Sequence, residues 1–276
     1  MSYVSPSLEI RGRRFDWGSR TYIMGIVNVS PESFSGDGLS DIDAAVQQAR
    51  RFQHEGADII DVGGQSTRPN FAEISSEDEI RRVEPVVRAI VQVVDLPVSI
   101  DAYRAEVAEA ALQAGATMVN DIWGLRHDPA MPALVARWGV PVILMHNQRG
   151  RTFHDVIGDI RDGFEASLDL ARAAGVPRDR LILDPGFGFG WTPEHSLEML
   201  RRLGELRTFG LPLLMGTSRK SALGAVLNLP EDQREWATAA TVALAIANGA
   251  DIVRVHNVAA MAQVCRMTDA VVRAGP

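Results

Sequence analysis

Eight short runs of aliphatic and β-branched residues recur through this chain, each followed by a polar residue or glycine and then by an amphipathic stretch. The runs are Tyr22–Val29, Asp58–Val62, Pro97–Ile100, Thr117–Val119, Val140–Met145, Leu181–Leu183, Leu211–Met215 and Asp251–Val255. Between them, apolar residues spaced i, i+3, i+4 predict helices, most clearly over Ile42–Gln53, Glu77–Val94, Ala105–Ala114 and His195–Leu206. Gly56, Gly115, Gly139, Gly175, Gly210 and Gly249 stand just before the next run, where a helix end favours a residue that accepts φ > 0. From Asn28 to His256 the unit repeats about every 33 residues, the size of a βα unit. Strict strand–helix alternation calls for a parallel sheet with right-handed crossovers. Eight units in 276 residues predict one (β/α)8 TIM barrel over residues 1–276, since that fold needs about 250. A doubly wound open sheet is the second reading. Leu8–Ile10 and Arg14–Trp17, around Gly12, predict a short N-terminal hairpin placed to plug the bottom of the barrel.

In such a barrel, function gathers at the C-terminal ends of the strands. Those ends read Asn28, Asp61, Asp101, Asn120 with Asp121, His146 with Asn147, Asp184, Ser218-Arg219-Lys220, and Arg254 with His256. Asp121 and Asp184 also suit helix N-caps, which favour Asp. Eight polar strand ends out of eight exceed what capping requires. The set divides by sign. Asp101, Asn120 and Asp184 suit a flat heteroaromatic ring carrying amino and lactam groups. Arg254, His256, Lys220, Arg219 and Arg68 are cationic, in a protein of net charge −7, and point to an anionic substrate group. Asn28 offers a neutral oxygen of the kind that serves Mg2+ as a single protein ligand beside phosphate oxygens.

One count sharpens this. Of 28 basic residues 27 are arginine, and the single lysine is Lys220. It is either a remnant of a coding bias against lysine or a position that needs a compact ammonium, which a planar guanidinium cannot imitate. Two loops rich in Gly, Ser and Pro, Asn28–Gly38 and Asp61–Asn70, share the same mouth and read as lids able to exclude water from a reactive intermediate.

Other function classes fall away. No apolar run approaches the roughly 18 residues of a membrane span, and the N-terminus lacks a signal-type apolar core. The acidic balance argues against a nucleic-acid surface. Cys265 is the only cysteine, which excludes an internal disulfide and fits a reducing cytoplasm. Asp184–Trp191 is glycine-rich after a strand, but it is not GxGxxG, and no P-loop, HExxH or CxxC occurs. His54, His127 and His154 read as surface residues, and His195 as support for a helix start.

Several motifs in order then carry a resemblance: Asn28-Val-Ser-Pro-Glu-Ser-Phe-Ser, Asp61-Val-Gly-Gly-Gln-Ser-Thr-Arg-Pro, Ser99-Ile-Asp, Val119-Asn-Asp-Ile, Leu183-Asp-Pro-Gly-Phe-Gly-Phe-Gly, Ser218-Arg-Lys-Ser and Arg254-Val-His. From the first strand to the last helix the chain resembles the dihydropteroate synthases, pterin-dependent enzymes of folate biosynthesis. The resemblance implies condensation of 6-hydroxymethyl-7,8-dihydropterin pyrophosphate with p-aminobenzoate. It implies that Asp101, Asn120, Asp184 and Lys220 hold the pterin. Asn28 with Mg2+, Thr67, Arg254 and His256 would hold the pyrophosphate. Phe34, Arg68, Pro69 and Ser221 would seat the aminobenzoate, and Asp101, Lys220, Arg254 and His256 would carry the catalysis. A homodimer formed through late helices, in the cytoplasm, is the implied assembly.

The chain departs from the family pattern in places. Gln65 stands where Glu is common, and Asn70 where Gly is. Asn147 and Arg149 replace Met and Gly, Trp191 replaces the usual Lys, and Asn257 replaces Asp. Two competing readings are a non-catalytic pterin-binding paralogue and a barrel similar to methyltetrahydrofolate:corrinoid methyltransferases. The former has no need of Arg68, Ser221 and Arg254, and the latter no need of the Ser-Thr-Arg-Pro loop or the Ser-Arg-Lys-Ser turn.

Overall fold

The computed structural model describes residues 7–29, 38–65 and 74–273. Two short strands, β1 (Leu8–Ile10) and β2 (Arg13–Phe15), form the antiparallel hairpin. Eight parallel strands follow: β3 (Tyr22–Asn28), β4 (Ile59–Gly63), β5 (Val98–Asp101), β6 (Met118–Asp121), β7 (Val142–Met145), β8 (Leu181–Asp184), β9 (Leu214–Met215) and β10 (Ile252–Val255). Their order is β8-β7-β6-β5-β4-β3-β10-β9, and a single bridge between Leu183 and Leu213 brings β8 against the approach to β9. The nearly closed barrel is therefore the predicted one, and the open-sheet alternative falls.

Helices fill the crossovers: α1 (Gly38–Glu55), α2 (Ser76–Ile90), α3 (Ala105–Gln113), α4 (Met131–Trp138), α5 (Val156–Ala173), α6 (Pro193–Arg202), α7 (Ser221–Leu227), α8 (Glu235–Ala247) and α9 (Val258–Val272). Strands β4, β6, β7, β8 and β9 are buried along their whole length, as a parallel sheet covered on both faces requires. All six predicted capping glycines have positive φ.

The hairpin does plug the barrel. Leu8, Ile10, Phe15 and Trp17 form one apolar cluster with Tyr22, Met24, Ile59, Met118, Ile143, Ile182, Leu214 and Ile252, side chains from seven of the eight barrel strands. The end opposite the site is thus sealed by the chain's own N-terminal segment.

Boundaries differ where local chemistry intervenes. The run at Leu211–Met215 yields only two strand residues, because Pro212 has no N–H to donate and contributes just its carbonyl, to Leu183 N at 2.9 Å. The helix read over His195–Leu206 begins at Pro193 and ends at Arg202, passing into a 3-10 turn over Leu203–Phe209 that contains Gly204. The Glu77–Val94 helix stops at Ile90, ahead of the Asp95-Leu96-Pro97 entry into β5. The second hairpin strand is Arg13–Phe15 rather than Arg14–Trp17.

Candidate functional site

Arg254 lies near the end of β10, paired in register with Met24 of β3, and its guanidinium reaches across the barrel mouth. Its Nε donates to Asp61 Oδ2 at 2.7 Å, and its Nη2 donates to Asp101 Oδ2 at 2.7 Å. Asn120 Nδ2 donates to the same Asp61 Oδ2 at 3.1 Å. The ends of β4, β5 and β10 are thereby tied through one arginine, and that of β6 joins them through Asp61. Asp61 is fully buried and the side chains of Asp101 and Arg254 are only 11% and 19% exposed, so the network sits largely out of water.

Burial acts on the charges in opposite ways according to sign. It pushes the Asp101 carboxyl up to about 7, opposed by Arg254 and reinforced by Asp61. It pushes Asp184 up to about 6, against the Gly186 N–H and the cations Lys220 and Arg254. It brings the Lys220 ammonium down to about 8, helped by Arg254 and opposed by Asp184 and Asp101. A desolvated pocket with two acids, a neutral amide and two cations is suited to a polar heteroaromatic ring with an anionic tail.

The glycine-rich stretch after β8 shapes one wall. Asp184 Oδ1 accepts from Gly186 N at 2.8 Å, and Gly186 has φ +78° with no room for a side chain, since a Cβ there would lie 1.9 Å from the His146 carbonyl oxygen. The Phe189 ring, nearly buried, sits beneath Lys220 Nζ, 4.1 Å from its centroid. Tyr103, Ile122 and Met145 pack with Phe189 as an apolar shelf.

The predicted residues divide as follows. Asp101, Asn120, Asp184, Lys220 and Arg254 converge. A Cβ on Gly63 would lie 3.6 Å from Asp101 Cβ and 3.7 Å from Asn28 Oδ1, which places the exposed Asn28 amide beside Asp101. His256 Nδ1 lies 2.9 Å from Ser218 Oγ, fixing the ring at the end of β10. Ser221 opens α7 directly after Lys220 and is exposed. Phe34, Thr67, Arg68 and Pro69 lie outside the described residues, as do Asn70, most of the first predicted lid loop and half of the second. Asp121 serves its own loop, accepting Trp123 N at 2.8 Å and Leu125 N at 2.7 Å; this segment is a turn and α4 begins only at Met131, so Asp121 is not the helix N-cap that the sequence also suggested. His54, His127 and His154 are exposed as read.

The departures also find places. Gln65 Oε1 accepts from Arg104 Nη2 at 2.9 Å, and Arg104 also pairs with buried Glu79, so a neutral residue at 65 suffices there. Asn147 donates to Ile122 O at 3.2 Å and accepts from Arg149 N at 3.2 Å. Trp191 is buried against His146, with ring centroids 5.6 Å apart. Asn257 caps α9 by accepting Ala260 N, a task Asn and Asp share.

Sequence reasoning missed two roles. Asp61 was visible as a strand end, but its part as the main partner of Arg254 was not. Phe189 lay unremarked within the glycine-rich motif, although an aromatic among glycines that follow a strand was the available signal.

Comparison with known proteins follows the same line. The family described as "Pterin binding enzyme" matches residues 24–256. A dihydropteroate synthase of Synechocystis sp. is 48% identical over 280 residues, covering 98% of this chain and 97% of its own. The structure of a Clostridium difficile dihydropteroate synthase in the presence of pteroic acid superposes with TM-score 0.92 at 48% identity, over 94% of this chain and 100% of its own. The Xanthomonas albilineans dihydropteroate synthase with 4-aminobenzoic acid does so with TM-score 0.92 at 39% identity, over 99% of this chain and 100% of its own.

The raised carboxyl has a consequence for stability. An unfolded carboxyl titrates near 4, whereas Asp101 in the folded chain titrates at about 7. Between those values the folded state binds the extra proton, so unfolding free energy falls as pH rises through that window, at up to about 1.4 kcal/mol per pH unit. Asp101→Asn removes this contribution. Urea unfolding at about pH 5 and about pH 7 is expected to give a smaller difference for the variant than for the parent. Equal differences would mean that Asp101 ionises in the ordinary carboxylate range.

Proposed function

The chain belongs to the dihydropteroate synthase family of pterin-binding enzymes, and from that premise we propose the reaction and the part each residue takes in it. The enzyme condenses 6-hydroxymethyl-7,8-dihydropterin pyrophosphate with p-aminobenzoate to give 7,8-dihydropteroate and pyrophosphate. The observation that carries the reading for this chain is the buried convergence of Asp101, Asn120, Asp184 and Lys220 around Arg254 at the C-terminal end of the barrel.

Asp101, Asn120, Asp184 and Lys220 hold the pterin, whose amino and lactam groups complement carboxylates, an amide and an amine. Arg254 and His256, with Thr67, hold the pyrophosphate. Arg254 spends Nε and Nη2 on carboxylates, and Nη1 is left for an anionic oxygen. Phe34, Arg68, Pro69 and Ser221 seat the aminobenzoate. The pterin CH2–O bond breaks, its electron pair leaving with pyrophosphate, and the cations around the leaving group offset its growing charge, an effect worth about 3–4 kcal/mol per well-placed donor. Asp101 and Asp184, when ionised, stabilise the cationic CH2 conjugated with the ring. The aniline nitrogen of aminobenzoate forms the new C–N bond and loses its proton to an oxygen of the departing pyrophosphate. That step needs orientation and exclusion of water more than a strong base.

Mg2+ fits the donor set. Asn28 presents one hard, exposed amide oxygen beside Asp101, the sparse protein share typical of a cation that keeps its waters and takes phosphate oxygens. Bound there, Mg2+ would supply charge neutralisation to the pyrophosphate.

The assembly we propose is a cytoplasmic homodimer. Val226 and Leu227 of α7 and Trp236 and Leu244 of α8 are exposed, Trp236 by 87%, an apolar face of the kind that marks an interface. A second copy of the chain would cover it. The lone Cys265 is buried with its thiol pushed up to about 12 by burial, which suits a reducing compartment without depending on it. Among the described residues no helix is long and apolar enough to cross a membrane. Small-molecule substrates, and no nucleic acid, are the partners this reading requires.

The purified protein, given the dihydropterin pyrophosphate, Mg2+ and p-aminobenzoate, is expected to release pyrophosphate only when the aminobenzoate is present. Lys220→Arg is expected to weaken pterin binding by about tenfold or more, because a planar, always charged guanidinium cannot replace the compact, desolvated amino group of a lysine. Pterin binding without turnover would make the chain a binding paralogue instead. Trp236→Glu is expected to convert the dimer to monomer in sedimentation equilibrium, and an unchanged mass would reject the α7–α8 interface.

A further inference from the structure

Lys220 shares the Phe189 ring with a second cation. The Arg149 guanidinium carbon lies 4.8 Å from the Phe189 centroid, and Lys220 Nζ lies 4.1 Å from the same centroid. Arg149 is held there by its backbone. Its N–H donates to Asn147 Oδ1, and the chain at Gly190 crosses it so closely that a Cβ on Gly190 would lie 2.4 Å from Arg149 N. Gly190 has φ +80°, so the crossing depends on glycine twice over. The Lys220 stem packs against Gly188, where a Cβ would meet Lys220 Cδ at 3.4 Å. The loop after β7 and the glycine-rich loop after β8 therefore cooperate to bring one arginine and the only lysine of the chain to a single aromatic ring.

We propose that Arg149 is a positioning residue for Lys220: from its place on Phe189 it disfavours a second positive charge, so that Lys220 can face the pterin as a neutral amine. The proposal rests on the synthase reading and deepens it. An ammonium would sit beside a CH2 that becomes cationic when pyrophosphate leaves, a like-charge conflict, whereas an amine keeps its hydrogen-bonding contact with the ring and removes the conflict.

The groups facing Lys220 come from four strand ends. Asp184 from β8 and Asp101 from β5 favour the ammonium, while Arg254 from β10 and Arg149 from the β7 loop disfavour it. Burial adds to the latter pair and is the largest influence. Arg149 supplements Arg254 in disfavouring the ammonium. Removing it returns Lys220 toward the ordinary lysine value.

A chain with one lysine makes the test direct. Protein labelled with 13Cε-lysine, carrying no lysine in any tag, gives a single lysine resonance whose chemical shift follows the Lys220 charge. In the parent the midpoint is expected near 8. Arg149→Gln is expected to raise it by about half a pH unit or more, the effect of a removed unit charge at this range in a medium of intermediate dielectric. Arg151→Gln, which removes a neighbouring arginine of the same loop, is expected to leave the midpoint in place. The acid limb of the kcat profile is expected to move upward with the Arg149→Gln midpoint, with the KM for the pterin substrate little changed. An Arg149→Gln midpoint equal to that of the parent, or an equal rise in Arg151→Gln, overturns the proposal. Because the resonance reports the lysine without turnover, failure of the synthase assay and failure of this inference are separate results.

Discussion

Arg254 stands between two carboxylates that could not otherwise be buried together. Asp61 has no exposure at all, Asp101 very little, and each takes one N–H of the same guanidinium at 2.7 Å. Removing charges from water costs several kcal/mol per ion, and the attraction offsets that cost only when geometry and hydrogen bonding are good. Here the geometry condition holds and Asn120 supplies a further donor to Asp61 Oδ2, while Asp61 Oδ1 has no hydrogen-bond partner among the described residues. The three acid and amide positions sit on β4, β5 and β6 while the arginine sits on β10, so the electrostatics of the mouth depend on the register in which β10, β3, β4, β5 and β6 pair. A substrate that enters meets a cation already oriented by two acids.

The two ends of the barrel divide the work. At the bottom, the hairpin's Phe15 and Trp17 complete an apolar cluster with the barrel strands and make that end a source of stability. At the top, strand ends carry charges and the loops carry glycine, an arrangement that sacrifices local stability for shape. Gly186 and Gly190 let the loop after β8 lie close against the loop after β7, and Gly188 leaves room for the Lys220 stem, so that Phe189 comes to lie under Lys220. The site's most desolvated groups, Asp101, Asp184 and Lys220, all have their proton equilibria drawn toward the physiological range. Perturbed groups gathered in one cleft are the expected mark of a functional site.

Much of this was legible beforehand, for identifiable reasons. Period-3.6 helices, buried strands and capping glycines are local signals, and they located the eight units and the plug hairpin. Polar residues at strand ends located the site, because barrel topology sends all those ends to one face. What could not be read was pairing across the barrel. Nothing adjacent to Asp61 in the sequence indicates that its partner is Arg254, 193 residues away. The motif marks Arg254 as a pyrophosphate-binding and catalytic cation, but gives no sign that two of its nitrogens serve carboxylates. The shortening at Pro212 followed from its missing N–H, and Asp121 turned inward to its own loop because two backbone N–H groups there need an acceptor. The stacking of Arg149 and Lys220 on one ring depends on loop crossings that no periodicity encodes.

The central claim is that Arg254 organises the pterin site as well as the anion site. A double-mutant cycle on Arg254→Gln and Asp101→Asn, read as affinity for the hydroxymethyl-dihydropterin lacking pyrophosphate, tests it most directly. The account predicts that Arg254→Gln weakens binding even of this uncharged ligand, and that the two substitutions couple by about 1 kcal/mol or more. Unchanged affinity for the pterin alcohol in Arg254→Gln, with loss confined to pyrophosphate binding, would contradict it.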